Sequence, residues 1–167
     1  MVQSLNFENN FRSVCYYFSM LKSVFTGDTI FCAGAGRFFE GNGEMMVKAF
    51  DAIFQLPDET LLFPGHDYNL SNLKFAKKLE PNNNEINLML EKFENLDSVS
   101  KLATSLGIYN FLKLSFYKDW ILGDERNINP FARFRVANMR NWALKKGAEN
   151  DGEVMQLIRE SKNSGTV

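Results

Sequence analysis

This sequence contains very little histidine and cysteine: one histidine, His66, and two cysteines, Cys15 and Cys32, in 167 residues. A disulfide-stabilised scaffold needs more cysteines, and no C-x-x-C pair is present, so we expect a reducing compartment. The 19 basic and 20 acidic residues nearly cancel, which argues against nucleic acid as a partner. No apolar run approaches the roughly 20 residues of a membrane span, and residues 1–22 lack a signal-peptide pattern. We therefore expect a cytoplasmic protein, with the mitochondrion as an alternative, that binds no membrane.

Apolar residues are plentiful and follow an α/β pattern over the first half of the chain. Hydrophobic residues make up 45% of the sequence, and 16 are phenylalanine, which supports a folded core. Short apolar runs predict strands at 15–18, 23–26 and 60–63, and apolar residues at helical spacing predict helices over 44–56 and 69–80. Strands that alternate with helices indicate an α/β domain.

The second half has the spacing of helices alone. Asn82–Asn84 supplies an N-cap for a helix through Phe93, and Asp97 or Ser98 is predicted to begin another that ends at Gly107. Further helices are predicted over 135–146 and 151–162, while 108–120 carries no assignable pattern. The composition changes after Pro81, so we predict two domains, residues 1–82 and 83–167.

Two residues with metal-ligand chemistry each close a predicted strand. Asp28 follows the strand at 23–26, and His66 follows the strand at 60–63. Because a parallel or mixed sheet would bring these two strand ends together, they are a candidate partial metal site. The alternative is that Asp28 caps nearby backbone amides and that His66 is a structural turn residue. One carboxylate and one imidazole do not complete a hydrolytic zinc site, which uses at least three protein ligands.

Two stretches carry cations suited to an anionic ligand. The glycine-rich stretch 34–43 lacks the G-x-G-x-x-G pattern, but it allows close backbone approach and offers Arg37. Arg159 and Lys162 are three residues apart, so they share one helical face. Such a pair suits a carboxylate or a phosphate. A flexible connection and a solvated basic face remain the alternatives for the two stretches.

The motifs that carry these residues resemble the glyoxalase II (hydroxyacylglutathione hydrolase) family of the metallo-β-lactamase superfamily. They are VFTGDTIFCAGAGRFFEG (24–41), PGHDYNLSNLKFAKKLEPNN (64–83), LGDERNINPFAR (122–133) and the pair Arg159 and Lys162. The resemblance implies an α/β fold, the second half of an αββα sandwich followed by an α-helical C-terminal domain that binds glutathione. It also implies two divalent metal ions, zinc as the first expectation and iron or manganese as alternatives.

The same resemblance assigns roles to individual residues. Asp28 matches the aspartate that bridges the two metal ions, and His66 matches a histidine on the second metal. The other residues match substrate-binding positions, with Phe39 standing where several members carry tyrosine: Arg37, Phe39, Tyr68, Arg159 and Lys162.

The sequence also departs from the family pattern. The T-H-x-H-x-D-H motif, which supplies most of the metal ligands, is absent, and Asn9 and Ser13 stand where an H-T-x-G-H segment should carry histidines. The family reaction is hydrolysis of S-D-lactoylglutathione by a metal-activated hydroxide. We therefore predict a C-terminal portion of such a hydrolase, inactive alone because most metal ligands are missing.

Two other kinds of function are alternatives to this one. The chain is alternatively a non-catalytic binder of glutathione thioesters, or a docking partner of a full-length relative that associates through an exposed sheet edge. A persulfide dioxygenase with one iron ion is disfavoured by the Asn129-Pro130-Phe131 turn and by the lack of iron ligands beyond Asp28 and His66.

Overall fold

The computed structural model describes residues 2–6, 14–39, 41–105 and 119–167. Two sheets and six α-helices occupy these ranges, which confirms the α/β class. The main sheet has four strands in the order β1 (Val2–Asn6), β2 (Val14–Phe18), β3 (Ser23–Gly27) and β6 (Leu61–Pro64). The β1–β2 and β2–β3 pairs are antiparallel, and β3–β6 is parallel. Strand β1 was not predicted, and Asn9 and Ser13 lie outside the described residues.

The parallel pairing of β3 and β6 decides where the site lies. Val24 stands opposite Leu62, and Gly27 stands opposite Pro64. Both strands therefore end at the same edge of the sheet, as the sequence predicted from Asp28 and His66. The Gly65 N–H donates to the Gly27 carbonyl oxygen at 2.8 Å and fixes the two strand ends side by side.

The two faces of this sheet have different environments. Tyr17, Val24 and Leu62 occupy one row across three strands and are buried in the core. Tyr16, Phe25 and Phe63 occupy the neighbouring row, so their side chains project from the opposite face. Tyr16 and Phe25 are 47% and 43% exposed there.

A small hairpin that was not predicted follows Asp28. Strand β4 (Ile30–Phe31) pairs antiparallel with β5 (Gly34–Ala35), and the chain reverses at Cys32-Ala33. Ala33 has a φ of 55°, a left-handed conformation that alanine rarely adopts and that its sequence does not signal.

The first two helices lie close to their predicted bounds. Helix α1 (Gly43–Ile53) begins at Asn42, whose Oδ1 accepts the Met45 N–H at 3.1 Å, and buries the predicted apolar stripe. Helix α2 (Asn69–Leu79) follows the turn that carries His66.

Helix α3 (Asn84–Ser105) is one continuous helix, so the prediction of a new start at Asp97 or Ser98 is wrong. Neither glycine nor proline interrupts residues 84–105, and helical hydrogen bonding therefore continues past both polar residues. Its N-cap is Asn83, whose Oδ1 accepts the Glu85 N–H at 3.1 Å. The predicted stop at Gly107 and most of 108–120 lie outside the described residues.

Three further helices lie in the described range 119–167. They are α4 (Leu122–Ile128), α5 (Ala137–Leu144) and α6 (Asp151–Ser164). Asn150 caps α6 by accepting the Glu153 N–H at 2.9 Å, and Gly165 ends it with a φ of 73°. In the described ranges no helix is both long and apolar enough to cross a membrane.

One buried hydrophobic cluster includes residues from both predicted domains. Phe50 of α1 lies 6.5 Å, ring centre to ring centre, from Phe131, and both side chains are fully buried. The domain boundary at 82/83 stays a prediction.

Candidate functional site

The edge where β3 and β6 end carries an imidazole–carboxylate pair. His66 Nδ1 lies 2.7 Å from Asp28 Oδ1, and both side chains are more than half exposed. Because a carboxylate only accepts hydrogen bonds, Nδ1 is the donor in this contact. Gly65 permits this approach, since a Cβ there would lie 2.8 Å from Asp28 Oδ1.

Aromatic rings flank this pair. The Tyr68 ring stacks on the His66 ring with centres 5.6 Å apart and an interplanar angle of 16°. Phe31 meets both rings edge-on, at 6.1 Å from His66 and 5.1 Å from Tyr68. These contacts restrain the imidazole and give the adjoining cavity an apolar wall.

Next to this pair is an open cavity of about 460 Å³, which we call the cationic pocket. A volume of this size suits a small-molecule ligand. Six of the seven residues predicted for the site line it, namely Asp28, Arg37, Phe39, Tyr68, Arg159 and Lys162. The seventh, His66, adjoins it through its hydrogen bond to Asp28. The structure therefore brings together residues from both halves of the chain.

Burial and neighbouring positive charges lower the pKa values of two cations in the pocket. Burial, followed by the charges of Arg159 and Lys78, lowers the pKa of Lys162 to about 8. Burial and the charge of Arg37 lower the pKa of Arg159 to about 10. An anion in the pocket would relieve this repulsion, so the arrangement favours a negatively charged ligand.

Arg159 and Lys162 contact the protein in different ways. Arg159 is 6% exposed and donates from Nη1 to the carbonyl oxygens of Ala35 and Gly36, at 2.9 and 3.4 Å. Its Nε is buried without a hydrogen-bond partner. Lys162 is less buried and donates to the Ser71 carbonyl oxygen at 2.8 Å. Lys162 is therefore the cation better placed to meet a ligand directly, and Arg159 also shapes the wall.

Phe39 and Arg37 lie at the open side of the pocket. Phe39 is 85% exposed, and Arg37 is exposed as well. Either side chain would lose solvent contact when a ligand occupies the pocket.

Three polar residues that line the pocket were not among the predicted site residues: Ser71, Asn72 and Asn163. Asn72 donates from Nδ2 to the Cys32 carbonyl oxygen at 3.0 Å. A Cβ on Gly34 would lie 2.4 Å from that nitrogen, so glycine at this position is what admits Asn72. The available signal was the motif at 64–83, which contains both Ser71 and Asn72.

The residues that meet at the strand ends do not make a complete metal site. Across the described ranges, no group of three or more histidine, cysteine, aspartate or glutamate side chains is placed to hold a metal ion. Asp28 and His66 provide two donors, and they hydrogen bond to each other. Two donors fall short of the three or four protein ligands that zinc takes in catalytic and structural sites.

Sequence comparison finds curated relatives for most of the chain. A hydroxyacylglutathione hydrolase of Bartonella quintana is 37% identical over 153 residues, which are 91% of this chain and 54% of that protein. One from Dictyostelium discoideum is 40% identical over 87% of this chain and 52% of its own length. A probable hydroxyacylglutathione hydrolase of Schizosaccharomyces pombe is 32% identical over 91% and 52%. No protein-family model matches. The chain thus spans about half the length of the curated relatives it matches.

Proposed function

The chain is a homologue of the hydroxyacylglutathione hydrolases, corresponding to about half of their length, and we propose that its cationic pocket binds a glutathione thioester. The observation that carries this proposal is the gathering of Arg37, Arg159 and Lys162 in one pocket beside the Asp28–His66 pair. Glutathione has a carboxylate at each end and a thiol between them. A carboxylate at the cations would direct the thioester towards the pair and its aromatic wall.

The proposed substrate is S-D-lactoylglutathione, and the proposed reaction of the complete enzyme is its hydrolysis to D-lactate and glutathione. We propose that Asp28 and His66 contribute to a two-metal site whose other ligands come from outside the described residues. Because two donors do not hold a catalytic metal, the isolated chain should bind the thioester without hydrolysing it. A metallo-β-lactamase arrangement of the sheet and a cytoplasmic location belong to the same proposal.

A single substitution tests the ligand role of Lys162. Lys162→Ala should weaken binding of S-methylglutathione by about 1.5–3 kcal/mol, since one hydrogen bond between charged groups is lost. Isothermal titration calorimetry measures the affinity, and the matched control is Lys77→Ala, which removes an exposed lysine from α2 outside the pocket. Equal affinity of the Lys162→Ala variant and wild type would refute the proposed ligand site.

Metal-dependent hydrolysis of S-D-lactoylglutathione by the isolated chain would refute the claim of inactivity.

The same titration at two pH values tests whether the charge of Lys162, rather than the shape of its side chain, contributes to ligand affinity. With its pKa near 8, Lys162 is mostly protonated at pH 7 and mostly neutral at pH 9. Wild-type affinity should therefore fall as the pH rises across this range. The Lys162→Arg variant stays charged across this range and should lose less affinity than wild type. The ligand's own amine titrates equally in both experiments, so it does not contribute to the difference between the two proteins.

The exposed aromatic face of the main sheet favours a second candidate function, docking onto a full-length relative. Phe25 stacks on Phe63 with ring centres 5.0 Å apart, and Phe18 meets Phe25 edge-on at 5.5 Å. With Tyr16 these rings form an apolar surface across three strands. Such surfaces on soluble domains mark interaction sites.

Self-association of the chain tests whether this aromatic surface mediates protein–protein contacts. Wild type should associate at micromolar concentrations in sedimentation-velocity runs, and Phe25→Lys should shift the distribution towards monomer, because burying the new charge is unfavourable. The control is Met20→Lys, which adds the same charge at a side chain that is 87% exposed and lies outside the strands. A monomeric wild type would count against the docking candidate.

A further inference from the structure

A fully buried carboxylate lies behind the cationic pocket and does not line it. Glu125 of α4 is 0% exposed, and its two oxygens accept four hydrogen bonds from three groups. The Ala33 N–H donates to both oxygens, at 2.9 and 3.1 Å. Trp120 Nε1 donates to Oε1 at 2.5 Å, and Asn129 Nδ2 donates to Oε2 at 2.5 Å.

These contacts fix the turn between β4 and β5. The Ala33 N–H belongs to the residue with the left-handed φ of 55°, so Glu125 stabilises a conformation that alanine otherwise disfavours. Asn129 extends the restraint, since its Nδ2 also donates to the Gly34 carbonyl oxygen at 3.0 Å. The Phe131 N–H donates to Asn129 Oδ1 at 2.9 Å and holds that amide in this orientation.

The residues that follow, Ala35 and Gly36, form part of the pocket wall. The next two carbonyl oxygens, those of Ala35 and Gly36, accept from Arg159. The Gly36 N–H donates to the Thr29 carbonyl oxygen at 3.3 Å, one residue after Asp28. A change in the backbone conformation at Ala33 would therefore shift the carbonyl groups that bind Arg159 and the backbone next to Asp28.

We propose that Glu125 is a positioning residue for the cationic pocket, because its carboxylate fixes the 33–36 segment on which Arg159 rests. Its consequence for ligand affinity rests on the proposed function of the pocket. Glu125 does not touch the ligand, and it acts through the segment alone.

The charge state of Glu125 gives this role a pH dependence. Burial raises its pKa to about 7, against the lowering effect of the hydrogen bonds from Ala33, Asn129 and Trp120. Asp124 on the same helix raises it further, and the Cys32 thiol is the titratable group facing it from the turn. The hydrogen bonds from these donors lower the pKa of Glu125, so an arrangement in which they are broken while Glu125 stays buried has a higher pKa and is favoured by protonation. Acidification from pH 8 to pH 6 should therefore loosen the segment.

The experiment compares wild type with Glu125→Gln by NMR and by calorimetry with S-methylglutathione. In wild type, the Ala33 amide, the Trp120 indole N–H and the Arg159 Nε–H should shift together with a midpoint near pH 7. In the variant the transition near pH 7 should be absent. Affinity should fall about tenfold in the variant at pH 8. Acidification from pH 8 to pH 6 protonates Lys162 in both proteins, so it should raise affinity in the variant and raise it less, or lower it, in wild type, where Glu125 is protonated as well. Glu91→Gln, an exposed glutamate of α3, should match wild type.

Each outcome decides between a positioning and a merely structural role. A variant with a lower melting temperature but wild-type affinity and pH profile would overturn the proposal. So would titration of the Ala33 amide that persists in the variant. If wild type binds no S-methylglutathione while the Ala33 and Arg159 signals still titrate together, the proposed function fails and the positioning role stands.

Discussion

Replacing Gly36 by alanine should reduce the free energy of unfolding by about 3 kcal/mol or more. A Cβ at this position would lie 1.9 Å from the Asp28 carbonyl oxygen. Both partners of this contact belong to the backbone, so no side chain can move away to relieve it. The hydrogen bond from the Gly36 N–H to the Thr29 carbonyl oxygen also holds the two backbone segments together. Urea unfolding followed by circular dichroism measures the loss.

The control for this prediction is Gly147→Ala. Gly147 has a φ of 90°, and no atom lies within 4 Å of the position of its missing Cβ. Alanine there should cost only the backbone strain of about 1–2 kcal/mol. If Gly36→Ala loses no more stability than Gly147→Ala, the segment that carries Asp28 is more compliant than the close contact implies.

Arg133→Met should reduce the free energy of unfolding by about 3–5 kcal/mol, because it leaves a buried charge without a partner. Arg133 donates to both carboxylate oxygens of Glu80, at 2.7 and 2.9 Å. The side chains are 16% and 3% exposed. This pair joins the end of α2 to the turn that follows α4, so its loss removes a contact between parts of the chain that lie on opposite sides of the predicted domain boundary. Thermal and urea unfolding measure the change.

Two further variants identify the cause of that loss. The double variant Glu80→Met/Arg133→Met removes both charges and should recover much of the lost stability, since an apolar pair of similar size replaces the ion pair. Lys74→Met breaks the exposed pair of Lys74 with Glu94, at 3.7 Å, and should change stability by less than about 1 kcal/mol. A double variant as unstable as Arg133→Met would assign the loss to packing rather than to charge.

The local sequence pattern was sufficient to predict that Asp28 and His66 meet at one edge of the sheet. Asp28 and His66 each follow a short apolar run, and parallel strands end at one edge, so their proximity follows from local pattern and one topological rule. Placing Arg159 and Lys162 in the same pocket needed the family resemblance, because no local pattern relates α6 to the end of β3. Their assigned roles as metal and substrate ligands stay predictions.

The missed features all depend on contacts between residues distant in sequence. Glu125 follows Asp124 in a short polar helix, where an acidic side chain usually faces solvent. Its partner Ala33 is 92 residues away, and nothing around Ala33 signals a left-handed conformation. The continuous helix α3 was missed for the opposite reason: Asp97 and Ser98 favour helix starts, yet hydrogen bonding in an established helix outweighed this preference.

The segment 32–36 has the composition of a loop but the bonding of a core element. Four side chains are hydrogen bonded to its backbone: Asn72 of α2, Glu125 of α4, Asn129 directly after α4, and Arg159 of α6. Local opening of this segment would have to break contacts with all three helices at once. Its amide protons should therefore exchange with solvent only when the helices unfold with it, which makes the segment part of the most cooperative unit of the fold rather than a surface connection.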